Sequence, residues 1–161
     1  MVIKYADDVK IISSVHNESK PYVKIENRHT HGFIFRTHGA VRYFINGKSI
    51  TVNDGEFIFL PKGCAYERYL LDCETSYYTS INFQGSLKEP TVKVFSFDIF
   101  YAANYIVQHF PELWNFGSEA DKYKCLSLFY DLLSHIITLI SLQPQQLRLL
   151  RGYRILLRQL R

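Results

Sequence analysis

The stretch GEFIFLPKGCAY, residues 55–66, sets Gly55, Pro61, Gly63 and Tyr66 at spacings of five, one and two intervening residues. Gly55 suits a tight turn and EFIFL reads as one strand. Pro61-Lys62-Gly63 then turns the chain so that the following strand swings back across a barrel. Working outward, short runs rich in Val, Ile, Tyr, Phe and Thr alternate with turn signals from Tyr22 to Phe83. The pattern predicts strands over 22–26, 31–37, 40–46, 48–53, 56–60, 66–71 and 75–83 of an antiparallel sandwich or barrel. Asn46-Gly47 tolerates the positive φ angles of a type I′ turn, which makes its two flanking runs a hairpin. Asn53-Asp54-Gly55 supplies the next turn.

After Pro90 the apolar spacing changes. It predicts a strand at 91–97, a helix over 98–110 and a long helix over 119–142 that Pro144 closes. The chain of 161 residues has room for one domain of ordinary size. With 47% hydrophobic and 21% charged residues it is neither disordered nor fibrous. Its 12 Tyr and 12 Phe favour strands and the walls of a cavity.

The formal charge of +4 is unevenly placed. Five of the 19 basic residues are arginines within 145–161, where no acid occurs, so 14 basic face 15 acidic residues in the rest. The body therefore lacks the cationic excess of a nucleic-acid binder. The segment QQLRLLRGYRILLRQLR, 145–161, is a basic amphipathic tail. It suits a membrane surface, a partner helix, nucleic acid or the lead into a further domain. Cys64, Cys73 and Cys125 form no C-x-x-C pair, and MVIKYADD lacks the apolar run of a signal peptide, so a cytoplasmic location is expected. The longest apolar segment is broken by Asp131, Ser134 and His135 and is too short to span a bilayer.

The Gly-Pro-Gly-Tyr spacing resembles the second conserved motif of cupins, G-x5-P-x-G-x2-H-x3-N, with Tyr66 in place of its metal-binding His and Leu70 in place of its Asn. His29-Thr30-His31 resembles the H-x-H of the first motif, but Phe35 and Arg36 stand where a Glu is expected, and a guanidinium repels a cation. No metal or other cofactor is therefore expected. The larger pattern joins RHTHGFIFRTHG from Arg28, VRYFINGK, DGEFIFLPKGCAY and YYTSINF. It resembles the N-terminal sensor domain of AraC-type bacterial transcription regulators over about residues 20–142. The resemblance implies a cupin (double-stranded β-helix, jelly-roll) barrel followed by a two-helix dimerisation segment. The expected division is an N-terminal arm at 1–19, an effector-binding barrel at 20–97, a helical region at 98–142 and a basic tail or linker at 143–161. In that family DNA is bound by a C-terminal helix-turn-helix module, for which this chain has no room.

If His29 and His31 face inward, alternation brings Phe33 and Phe35 inside with them, and Val41, Tyr43 and Ile45 inside on the next strand. The two histidines serve either in ligand contact or in hydrogen bonding within the barrel or at its rim. Flat rings and a few oriented polar groups suit a sugar or related metabolite, and the expected ligand residues are His29, His31, Arg36, Tyr43, Tyr66 and Tyr78. Arg36 has an alternative partner in Glu67. In the long helix, eleven of the sixteen positions from 125 to 140 are apolar, an arc too wide for one core face. The helix is either fully buried in its own monomer or shared with a second copy. The expected homodimer interface is Leu126, Phe129, Leu133, Ile136, Ile137 and Ile140. There is no G-x-S-x-G, P-loop or G-x-G-x-x-G. A non-enzymatic sensor is expected, with a small cupin enzyme such as a sugar isomerase or dioxygenase as the alternative.

Overall fold

Strand-forming runs punctuated by glycine and asparagine turns fold into two facing antiparallel sheets. The computed structural model of the chain describes residues 7–71, 75–87 and 90–141. In chain order the strands are β1 (Asp7–Glu18), β2 (Tyr22–Ile25), β3 (His31–His38), β4 (Ala40–Ile45), β5 (Lys48–Val52), β6 (Glu56–Leu60), β7 (Tyr66–Leu71), β8 (Tyr77–Ser86) and β9 (Lys93–Ser96). A 3-10 turn (Phe97–Ile99), helix α1 (Ala103–Phe116) and helix α2 (Glu119–Ser141) follow. One sheet has the order β1-β8-β3-β6-β9 and the other β2-β7-β4-β5. Asn46 and Gly47 both take positive φ, 50° and 72°, in the β4–β5 hairpin, as a type I′ turn requires.

Two apolar cores result. Between the sheets, Ile34, Ile58 and Leu60 meet Val41, Tyr43, Ile45, Val52 and Tyr66. On the other face of the five-stranded sheet, Phe33, Phe35, Phe57, Phe59, Ile81 and Phe83 meet Phe110 of α1 and Phe129, Leu132, Leu133 and Ile136 of α2. That sheet is thus covered on both faces, and β3 is buried continuously from His31 to Arg36. Alternation along β3 is real, but the faces are the reverse of those expected. Phe33 and Phe35 point to the helices, while Ile34 points between the sheets. With both faces apolar, the sequence pattern carries no sign of which face looks inward. Val41, Tyr43 and Ile45 do lie between the sheets, as alternation on β4 predicts.

The expected arm contributes an edge strand, since β1 pairs with β8 over most of its length. Its sequence DDVKIISSVHNE is polar enough to hide that role. The first helix begins later than expected and runs through Pro111. Proline has no N–H to give to the carbonyl of Val107 one turn back. That carbonyl instead accepts from the Thr79 hydroxyl of β8 at 3.1 Å, so the helix continues with its acceptor satisfied by the sheet beneath it. No helix among the described residues is long and apolar enough to cross a membrane. The tail at 143–161 lies outside the described residues.

The expected dimer contacts need correction. Phe129, Leu133 and Ile136 are buried in the chain's own second core, and Ile137 and Leu126 are half-buried against it. The side chain of Ile140 lies outside those described. One arc of α2 is taken up by the chain's own sheet, which leaves a different arc outward, with Tyr123 71% and Tyr130 48% exposed.

Candidate functional site

The turn that decides the fold also builds the site. Gly63, at φ 84°, donates its N–H to the Arg28 carbonyl at 2.7 Å, and the Arg28 N–H donates to the Cys64 carbonyl at 3.1 Å. This pair of bonds ties the β2–β3 link to the Pro61–Gly63 turn. The Arg28 side chain then lies across Gly32 of β3, where any Cβ would collide with the guanidinium. There its Nη2 donates to Oδ1 of Asn82, and its Nη1 reaches the Tyr66 hydroxyl at 3.5 Å. The Asn82 amide donates in turn to the Ser13 hydroxyl at 3.1 Å, which sets its orientation.

Arg28 stands over a cavity of about 560 Å³. Period-two alternation places Tyr66 and Arg68 of β7 on one wall and Tyr78, Ser80 and Asn82 of β8 on another. Val15 of β1, Val23 of β2 and Ile34 of β3 supply apolar lining, and Glu18 and Lys20 complete it with Asn17. Arg68 is 6% exposed and donates from Nη2 to the Lys20 carbonyl at 3.2 Å. Burial pushes the Tyr66 phenol above its ordinary value while Arg28 pulls the other way, so it remains a donor at neutral pH.

Of the six ligand residues expected from the sequence, Tyr66 and Tyr78 line this cavity. Arg36 and Tyr43 are fully buried next to it. The Arg36 guanidinium lies 5.6 Å from the Tyr78 ring centre and that of Arg68 5.8 Å, so the two cations share one aromatic ring. Glu67 is not the partner of Arg36: its carboxylate accepts from the Tyr69 hydroxyl at 2.9 Å. Nη1 of Arg36 donates instead to the hydroxyls of Ser19 and Ser76 at 2.6 and 2.8 Å. Burial pushes Arg36 below its ordinary range, with Tyr43 opposing and Arg68 adding to the effect. His29 is exposed and does not line the cavity. Arg28 and Arg68 are the residues that sequence reasoning passed over. Alternation from Tyr66 would have found Arg68, whereas Arg28 is set by the backbone pairing with the turn.

His31 has a structural place instead. Its ring sits with Phe59 and Phe83 in the helix-side core, at centroid distances of 6.1 and 5.4 Å. Its Nδ1 accepts the Lys62 N–H at 3.0 Å, which braces the turn that anchors Arg28. Burial pushes the imidazole below its ordinary 6.5, and Lys62 and Arg28 push it further, against a hydrogen bond to the Gly85 backbone. The unfolded chain therefore takes up this proton first. The stability contribution is complete above about pH 6.5 and is lost as the pH falls below it. Urea midpoints are expected to drop from about pH 7 to about pH 5, and His31→Asn, which keeps an acceptor for Lys62, should flatten that slope. An equal slope in the variant would assign the loss to other groups.

These residues do not fit a cupin metal centre. His29 and His31 lie off the cavity, and Tyr66 stands in place of the third imidazole. Among the described residues, no three His, Cys, Asp or Glu side chains come together where they could hold a metal ion.

No family model matches the sequence, and no curated protein matches it. Solved structures do. ToxT from Vibrio cholerae O395 superposes with a TM-score of 0.56 at 11% identity, over 77% of this chain and 53% of that one. ToxT bound to (E)-4-(8-methylnaphthalen-1-yl)but-3-enoic acid gives 0.51 at 10% identity, over 74% and 54%. YhaK from Escherichia coli gives 0.47 at 12% identity, over 56% and 44%. The chain thus spans about half the length of these proteins. The ToxT likeness establishes a shared fold over about three-quarters of this chain.

Proposed function

We propose that this chain is the effector-sensing and dimerisation domain of an AraC-type transcription regulator, acting by ligand binding and not by catalysis. The observation that carries the reading is the cavity between the sheets, whose size falls within the range of small-molecule sites and whose wall carries oriented donors on Arg28, Arg68 and Tyr66. ToxT is an AraC-family regulator, and it has been seen with a small organic acid bound, which supports the same use of this fold. DNA contact belongs, on this reading, to a helix-turn-helix module outside the 161 residues.

The dimer would form through the outward arc of α2. Tyr123 and Tyr130 are one heptad apart with Leu126 between them, so they form one stripe that a two-fold-related copy can cover. Phe116, at the end of α1, is exposed as well. Light scattering at tens of micromolar should show a dimer, and Tyr123→Lys with Tyr130→Lys should give a folded monomer. A monomeric wild type, or a double variant that still dimerises, would remove this surface as the interface.

A further inference from the structure

Building on the sensing reading, we propose that the ligand is a small organic anion whose carboxylate or phosphate group is held by Arg28 and Arg68. The cavity's ionisable side chains of ordinary charge are Lys20, Arg28 and Arg68 against the single acid Glu18. None of the three arginines Arg28, Arg36 and Arg68 has a carboxylate within ion-pair distance among the described residues. A buried cation is costly unless an opposite charge or a full set of acceptors compensates it. Here the acceptors fall short. Nε of Arg28 and Nε of Arg68 are buried with no partner, as are Nε and Nη2 of Arg36, which has the unpartnered Tyr43 hydroxyl for a neighbour.

The neutral groups point to the same chemistry. Tyr66 receives its hydrogen bond from Arg28, which leaves the phenol proton to donate. Asn82 spends its carbonyl on Arg28 and its amide on Ser13. Around Arg28 and Arg68 the wall therefore presents N–H and O–H donors, with Glu18 the one carboxylate of the lining, which suits an oxyanion at that end of the cavity. Ile34, Val15 and Val23 provide an apolar surface for the rest of the molecule.

The test is a thermal-shift and calorimetric comparison on the whole chain with three matched pairs: octanoate and octanamide, phenyl phosphate and phenol, glucuronate and glucose. At least one anion should raise the melting temperature saturably while its neutral partner does not, and its affinity should fall with added salt. The responding pair separates carboxylate from phosphate. Arg68→Gln should weaken that binding by roughly tenfold or more. If R68Q does not fold, Arg28→Gln at the half-exposed mouth carries the same comparison. Binding of glucose equal to that of glucuronate, or binding untouched in the arginine variant, overturns the anion and leaves the sensing domain standing. A chain that answers to none of the six compounds overturns both.

Discussion

A chain carrying Leu133→Asp is expected to lose more than about 5 kcal/mol of unfolding free energy and so to fail to fold at ordinary temperature. Leu133 is 2% exposed and belongs to the core formed by α2 and the five-stranded sheet. Deleting such a side chain costs about 2–5 kcal/mol, and an unpaired carboxylate left in its place adds several more. The total rivals the whole stability of a domain, about 5–15 kcal/mol. Its neighbour Phe129 makes the same case: its ring meets Phe83 edge-on at 4.9 Å and Phe33 at 6.2 Å. Tyr130→Asp, one residue away on the outward arc, should stay folded with a circular-dichroism spectrum like the wild type. A Leu133→Asp chain that melts cooperatively near the wild-type temperature would show that α2 does not pack on this sheet.

That result bears on what was readable in the sequence. The apolar arc of α2 announced a helix with a core-facing side, but it overstated the burial, since only one arc is covered, and periodicity cannot say whether sheet or second subunit does the burying. Phe129, Leu133 and Ile136 read equally well either way, and only the sheet's own outward phenylalanines decide it. The same ambiguity inverted β3. Because Phe33 and Phe35 are as apolar as Ile34 and Ile58, no polar face marked the outside. Where turn chemistry speaks, as at Asn46-Gly47 and Pro61-Lys62-Gly63, the sequence was explicit and the hairpin and the crossing strand stand where they should. The site was half legible. Tyr66 and Tyr78 followed from a motif position and from strand composition, whereas Arg28 depends on two backbone hydrogen bonds to a turn that lies more than thirty residues on. No local pattern encodes such a bond.

The second large effect is expected at Arg36, where alanine and methionine should behave differently. Arg36→Ala removes a fully buried side chain and should cost about 2–4 kcal/mol through lost packing alone. Arg36→Met keeps most of that volume and removes the charge. The guanidinium's two bonds, to Ser19 and Ser76, are each worth about 1.5–3 kcal/mol as bonds to a charged donor. Against them stands a desolvation cost of several kcal/mol for a cation with two unpartnered nitrogens. Ser76 also keeps its own bond to the His38 carbonyl at 2.8 Å when the arginine is gone. The two sides nearly cancel, so Arg36→Met should unfold within about 1 kcal/mol of the wild type in denaturant. A charge that adds so little to folding leaves its electrostatic effect as its main contribution, and its place beside the Tyr78 ring that Arg68 also approaches makes it a source of positive potential for the cavity. A methionine variant destabilised as much as the alanine one would make Arg36 a structural residue held by its two serines, and would withdraw its share of the field from the anion site.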